Sequence, residues 1–316
     1  MTRILLASLF TSGVVLGIAG PQATQPQGRP DAPVIHVEPV QRGIYLLAGG
    51  TGGNVTVQVG PEGVLMVDSG IESAGPRIMA EIRRLSARRI RYIINTHAHP
   101  DHVGANAAIV RLAGNDPAQP LKIIGHENVL NRLTASVPGQ PRFPEEGLPL
   151  DEYGTATKNL HFNGEAVIVY HEPNAHTDGD SIVLFRGSDV ISTGDIFAPG
   201  AYPFIDLDRG GSVSGEIAAL NHILDLTVPA KTQEGGTYVV PGHGRICDQA
   251  DVVEYRDMVV IVRDRVRDMA TKGMTLEQVK AAKPSRDYDT EYVSSNSFVT
   301  ADRFVEAVFR SLTTKK

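Results

Sequence analysis

The sequence predicts an α/β fold, and three features carry that expectation. Short β-rich runs separated by turn residues open the chain proper, at 34–37, 44–48, 55–59 and 64–67. Helical and strand patterns then alternate, with a helix at 74–87, an apolar run at 90–95 and a second helix at 103–112. In the tail, Val252, Tyr255, Val259, Val262, Val266 and Met269 recur at three- and four-residue steps, which gives one apolar helical stripe.

A chain of 316 residues can bury a sizeable core in one large domain with appendages. Its apolar fraction of 41% and charged fraction of 21% are those of an ordinary soluble protein. A net charge of −6 argues against nucleic acid or an anionic membrane as partner and leaves a small molecule. Cys247 is the only cysteine, so no internal disulfide and no Cys-rich zinc cluster can form. Any metal site must be built from histidine and carboxylate.

The first twenty residues read as an export signal. Arg3 supplies the positive start, 4–19 is mostly apolar, and Gly17, Ala19 and Gly20 are the small residues of a cleavage region. The run is short for a membrane span and is interrupted by Ser8, Thr11 and Ser12. Residues 21–33, rich in Pro and Gln, form a flexible lead-in. The expected protein is therefore exported, to the periplasm, with no stable membrane insertion once the signal is gone.

Between the second and third strand runs lies Gly49-Gly50-Thr51-Gly52-Gly53. No helix start or Lys follows it, so a phosphate loop is rejected in favour of a mobile hairpin tip. The helix at 74–87 ends in a basic cluster, Arg83, Arg84, Arg88, Arg89 and Arg91, of the kind a solvated helix C-terminus favours.

The chemistry begins after the apolar run at 90–95. Thr96-His97-Ala98-His99-Pro100-Asp101-His102 places four metal-capable side chains within six residues. In an extended strand end, His97 and His99 project to the same side, because side-chain direction repeats every two residues. Pro100 cannot continue the strand's hydrogen bonding, so the chain turns there and Asp101 and His102 point elsewhere. One loop can thus serve two metals, with His97 and His99 on one and Asp101 and His102 on the other. This His-x-His-x-Asp-His run resembles the signature of the metallo-β-lactamase superfamily, and the later elements follow that superfamily's order over residues 40–245.

The resemblance implies a four-layer αβ/βα sandwich, with two mixed sheets inside, helices outside and metals at one edge. Residues 34–247 are assigned to that domain, and the helical stripe of the tail makes 248–316 a helical C-terminal extension packed on it. The resemblance also implies that the Gly49–Gly53 hairpin flanks the active site, and that Asp68 sits behind the metal ligands. A ligating histidine needs its second ring nitrogen held, which Asp68 can do. Capping the following helix is the competing role for that residue.

Downstream, 121–125 reads as a strand, 126–133 as a short helix and the Pro- and Gly-rich residues 135–157 as a long surface loop, a lid or binding loop. Strands at 159–162 and 166–171 lead to a segment with two histidines. His176, before a Gly turn and the strand at 182–185, matches the family's third ligand of the first metal; His171 reads as structural, as do His36, His126, His161 and His222. Asp195 follows Gly194 at a strand end and matches the bridging Asp of the glyoxalase II and lactonase branches. His243, between Gly242 and Gly244, matches the last ligand.

The ligand set implied is His97, His99 and His176 on one ion, Asp101, His102 and His243 on the other, and Asp195 bridging. Nitrogen and oxygen donors suit two Zn²⁺, and also admit iron or manganese. Such a pair lowers the pKa of a shared water to roughly 7, giving hydroxide that attacks an ester, lactone, thioester or cyclic amide. Asp101 is the catalytic candidate, orienting that hydroxide and passing a proton on. Some β-lactamases carry Cys at the Asp195 position and a nearby Lys that grips the substrate carboxylate. Neither is present at 195–200, so ester-type substrates are expected above β-lactams. An iron oxidoreductase on the same fold is less favoured, because the flavin-linked di-iron branch has Glu where His99 stands and adds a flavin domain. Tyr202 lies near enough to Asp195 in sequence to reach a substrate oxyanion, or else to pack.

The mature chain should begin between Gly20 and Thr24 and be found outside the cytoplasm. Mass spectrometry of the protein from its native cells checks this; an intact Met1 terminus on soluble protein would count against export.

Overall fold

The computed structural model describes residues 33–314 apart from 115, 137, 140, 234 and 295–297. The export signal, and the lead-in up to residue 32, lie outside the described residues. Seven strands form the first sheet, in sequence order: β1 (Ile35–Gln41), β2 (Ile44–Gly49), β3 (Val55–Gly60), β4 (Gly63–Val67), β5 (Ile90–Ile94), β6 (Lys122–His126) and β7 (Asp151–Tyr153). β1 to β4 run antiparallel through short turns, and β4 to β7 run parallel. Parallel neighbours need crossovers, and helices supply them. These are α1 (Gly75–Leu85) between β4 and β5, α2 (Pro100–Val103) with α3 (Asn106–Ala113) between β5 and β6, and α4 (Glu127–Thr134) before β7.

The second sheet contains β8 (Thr157–Phe162), β9 (Glu165–His171), β10 (Ser181–Phe185), β11 (Val190–Ser192) and β12 (Tyr238–Val240), in the order β12-β11-β10-β9-β8. The β11–β12 pair alone is parallel, and α5 (Val213–Leu226) lies in its crossover. The tail adds α6 (Gln249–Thr271), α7 (Leu276–Ala282), α8 (Asp289–Tyr292) and α9 (Ala301–Thr313).

The period-2 alternation of the strands sorts the core into layers. In β4, Leu65 and Val67 enter the core between the sheets, whereas Val64 and Met66 face the helical side with Ile78, Ile82 and Ile109. In β10, Val183 and Phe185 meet them from the second sheet, and Ile182 and Leu184 turn outward towards α5 and α6. Three apolar layers between four layers of structure make the αβ/βα sandwich that the resemblance implied. The tail shares the outer layer: Val252, Tyr255, Val259, Val262 and Val266 of α6 are buried there with Phe304, Val305 and Val308 of α9.

Three local expectations change. The helix expected through 103–112, with Asp101 and His102 in its first turn, is two helices, and the first starts at Pro100. Proline's fixed φ and missing N–H suit a first helical position, so Asp101 and His102 stand in that first turn. The surface loop expected over 135–157 contains β7, which pairs with β6 at the sheet edge. The glycine-rich hairpin is not a free tip: Gly50 N–H donates to Val34 O (3.0 Å), Gly53 N–H to Asp101 O (3.1 Å) and Ile71 N–H to Thr51 O (2.7 Å). A side chain at Gly53 would meet His102 Cε1 at 2.6 Å, so glycine there lets the hairpin close on the motif.

Phe304 of α9 stacks on Tyr202 at 4.8 Å and is fully buried. Phe304→Ala should therefore cost about 3–5 kcal/mol in urea unfolding. A loss below about 1 kcal/mol would mean that the cavity collapses freely and α9 is not integral to the core.

Candidate metal centre

The strands deliver the polar residues to one edge. β4 ends at Asp68, β5 leads to His97 and His99, the β9–β10 connection carries His176, β11 leads to Asp195 and β12 to His243. The β12 turn is fixed from the opposite sheet. Asn54 N–H donates to Gly242 O (2.7 Å), and Asn54 Nδ2 donates to Pro241 O and Gly244 O (both 2.9 Å).

All seven residues expected as donors meet there, in two groups. His99 Nδ1 is 3.1 Å from His97 Nε2 and 2.9 Å from His176 Nε2, and Asp195 Oδ2 is 3.8 Å from each of those Nε2 atoms. The other oxygen, Asp195 Oδ1, is 3.1 Å from His102 Nε2 and 3.5 Å from His243 Nε2. Asp101 Oδ2 completes that second group, 3.3 Å from His243 Nε2 and 3.7 Å from His102 Nε2. Tetrahedral donors at zinc-like bond lengths stand about 3.4 Å apart, so both groups have the right spacing. His102 Nε2 and Asp195 Oδ1 are buried and, although close, neither has a hydrogen-bond partner among the described residues. Orphaned buried atoms of this kind are costly unless a ligand satisfies them. The residues fit a pair of divalent ions.

Behind the donors, each first-group histidine and His102 has its outward nitrogen held. His97 Nδ1 donates to Thr96 Oγ1 (3.0 Å), His99 Nε2 to Asp206 Oδ2 (2.9 Å), His102 Nδ1 to Asp68 Oδ2 (2.8 Å) and His176 Nδ1 to the Phe204 carbonyl. That bond fixes the tautomer and aims the free nitrogen inward. Asp68 also accepts from Thr96 N–H and Thr96 Oγ1, both at 2.8 Å, with its backbone at φ +62°. The cap of the following single turn is Ile71, so the bracing role of Asp68 is the one realised.

Asp206 was missed in the sequence. It sits in a loop thirty positions past His176 with no periodicity or motif to mark it. It accepts from Arg209 Nη1 (2.7 Å) as well as from His99. Burial works against its ionisation, but His99 and Arg209 outweigh that and hold its pKa well below the carboxylate range.

Tyr202 does not serve as an oxyanion donor. Its hydroxyl is 2.7 Å from Asp289 Oδ1 and 3.1 Å from Ser285 O in the tail, and its ring stacks on Tyr292 and Phe304. Tyr202 borders the cavity, with its hydroxyl engaged by the tail. His171 is structural, stacked on His126 at 3.5 Å and donating from Nε2 to Asp178 O (2.9 Å).

Charge is shared unevenly. Burial lowers the pKa of His176 to about 4 and drives His97 well below its ordinary value, so those two rings are neutral. Burial also opposes charge on His102 and His243, but the carboxylates prevail: Asp195 and Asp68 raise His102, and Asp101 and Asp195 bring His243 to about 9. A cation at the second group must displace those protons. A cavity of about 560 Å³ opens over the donors, bordered by Ala198, Ala201, Phe204, Phe298, Val299 and Arg209 among others.

The metallo-beta-lactamase superfamily profile matches residues 48–243, well over half of the chain. The protein belongs to that superfamily and is a metallo-hydrolase. A protein described as a probable metallo-hydrolase of Methanocaldococcus jannaschii is 26% identical over 188 residues, which span 58% of this chain and 84% of the relative. The stereoselective inverting sec-alkylsulfatase Pisa1 of a Pseudomonas species superposes with a TM-score of 0.65 at 14% identity, covering 88% of this chain. This chain spans only 50% of the alkylsulfatase. A metallo-beta-lactamase from Pontibacter korlensis gives 0.56 at 14% identity, covering 72% of this chain and 99% of the lactamase. At such identities these two structures show the shared fold alone.

Asp206→Asn should weaken metal retention by the three-histidine group about 10–100-fold, because it removes the carboxylate that orients His99. Competition against a chelator measures this, and unchanged affinity would remove Asp206 from the site.

Proposed function

We propose that the protein is an exported, dinuclear, zinc-dependent hydrolase that cleaves an ester, lactone, thioester or cyclic amide. The observation that carries this reading is the placement of Asp195, one oxygen facing each donor group. A carboxylate so placed would hold one cation on each oxygen, with His97, His99 and His176 as the other donors to one and Asp101, His102 and His243 to the other. When bound, the ions supply Lewis acidity, which polarises a carbonyl and makes water acidic near neutral pH.

The chain's own groups do the rest. Asp101 is the donor most open to the cavity among the carboxylates, its side chain 36% exposed against 13% for Asp195. It is placed to orient the attacking water and to return a proton to the leaving group. The neutral imidazoles of His97 and His176 hold their ion without adding charge. The apolar walls around Ala198, Phe204 and Val299 exclude bulk water from the reacting bond.

A β-lactamase remains the second reading, on one specific observation. No Lys stands at 196–200 after Asp195, yet Arg209, further along the same β11–α5 connection, borders the cavity. A cation for a substrate carboxylate is therefore present where the local sequence around Asp195 offered none.

Elemental analysis at saturating zinc should give two ions per chain; one or none would reject the dinuclear site. Asp101→Asn should lose more than about 100-fold in turnover while the three-histidine group keeps its ion. Near-normal turnover would sink the role of Asp101. In steady-state kinetics on a matched panel, esters, lactones and thioesters should exceed cephalosporins and carbapenems in kcat/KM. The reverse order would favour the second reading.

A further inference from the structure

The cavity over the donors combines an apolar track with one guanidinium. The track starts at the first donor group, where the Phe204 ring lies 5.8 Å from His99 and 5.6 Å from His176. It continues outward to Phe298, whose ring meets Phe204 edge-on at 5.2 Å and 83°. Phe298 is 67% exposed, yet it is not loose, because Arg303 covers its ring at 4.6 Å. An aromatic ring held exposed at a cavity mouth offers apolar area to a ligand at little ordering cost.

Among the described residues, Arg209 is the one Arg or Lys on the cavity wall. Its Nη1 is engaged, 2.7 Å from Asp206 Oδ2 and 3.4 Å from His99 Nε2. Nε and Nη2 have no partner among the described residues, and the side chain is 46% exposed. Those two atoms form one edge of the guanidinium, the fork that takes an oxyanion through two parallel hydrogen bonds. Through His99 the fork stands about one imidazole ring from the first donor group. An anionic group seated there therefore lies only a few bonds from the reacting one.

We propose that the site takes anionic amphiphiles: acyl compounds with an apolar chain laid along Phe204 and Phe298 and a carboxylate-like group on the free edge of Arg209. The assignment rests on the hydrolase reading for the word acyl, but the pocket itself is tested by binding. It makes Arg209 and Phe298 specificity residues with separable roles, one reading charge and the other chain length.

The test is calorimetric titration of the zinc-loaded full chain with butanoate, hexanoate, octanoate and 1-octanol. Wild-type affinity should rise about fourfold per methylene that reaches the track. Arg209→Met should weaken octanoate by about tenfold or more, leaving 1-octanol and the gain per methylene unchanged. Phe298→Ala should flatten the gain per methylene and keep the sensitivity to Arg209. Because a carboxylate also ligates zinc, the Arg209→Met comparison decides the charge role, with zinc content measured in each variant. Should Arg209→Met lose zinc, Arg209→Lys takes its place: retained charge without the fork should give intermediate octanoate affinity. Octanoate affinity in the deciding variant equal to wild type, or wild-type affinity independent of chain length, would overturn the proposal. Turnover of p-nitrophenyl octanoate separates the two readings. The binding pattern without hydrolysis of any acyl substrate would refute the hydrolase and leave the pocket standing. Hydrolysis of this neutral ester that is indifferent to Phe298→Ala would do the opposite.

Discussion

A nearly buried carboxylate among four histidines is the constraint on which this structure turns. Burial alone would keep Asp195 protonated, because an isolated charge in a low-dielectric interior is expensive. His102, His243 and His97 overcome that penalty and hold its pKa well below the ordinary carboxylate value. The arrangement works only if the strand ends arrive together. β11 and β12 are therefore parallel, with Ser192 opposite Val240, so that Asp195 and His243 leave the same edge. β4 and β5 are parallel for the same reason, which brings Asp68 behind the histidine motif. Nearby, Glu216 is fully buried with neither oxygen partnered among the described residues. Burial, then Asp180 and Asp195, raises its pKa well above the usual range, so it adds no second anion beside the centre.

What was legible in the sequence is what depends on short-range pattern. The alternation of strand and helix, the helical stripe of the tail and the donors at strand ends all repeat at fixed local spacings. The donors converge as the resemblance implied because each sits at a strand terminus, and parallel strands carry their termini to one edge. Asp206 was not legible. It acts through an interaction spanning 107 positions, from a loop whose path follows neither periodicity. Arg209 stayed hidden for the same reason: it lies beyond residues 196–200, on a stretch with no motif to bring it back to the cavity. Tyr202 shows the converse error: nearness to a donor in sequence says little about where a hydroxyl points, and this one bonds into the tail.

The tail is more than packing on the second sheet. Tyr202 belongs to the loop that follows Asp195, and its hydroxyl is tied to Asp289 at the start of α8 while its ring is stacked on Phe304 of α9. That loop also carries Ala198 and Ala201, which border the cavity, and Phe298 and Val299 close the far side from the tail itself. The C-terminal helices therefore set the width of the substrate cavity without supplying a donor. Change in the tail can alter which ligand fits while the seven candidate donors stay fixed, a division of labour open to any fold whose chemistry sits at strand ends and whose walls come from loops.

The two donor groups differ in a way that assigns them different tasks. Each histidine of the first group is buried, is braced through its second nitrogen and, for His97 and His176, is held neutral. A cation there meets a rigid site that needs little reorganisation and loses no proton from those two rings. In the second group only His102 is braced in this manner, while His243 and Asp101 are 42% and 36% exposed in their side chains. Those two donors face the cavity; His243 contacts Asp101 and Asp195, and Asp101 contacts His243 and His102. A cation bound at this group would have to displace the protons that the carboxylates favour on His102 and His243 and order a half-exposed pair, so its occupancy would fall with falling pH. Asp195, with one oxygen towards each group, is the residue through which the two groups would be coupled.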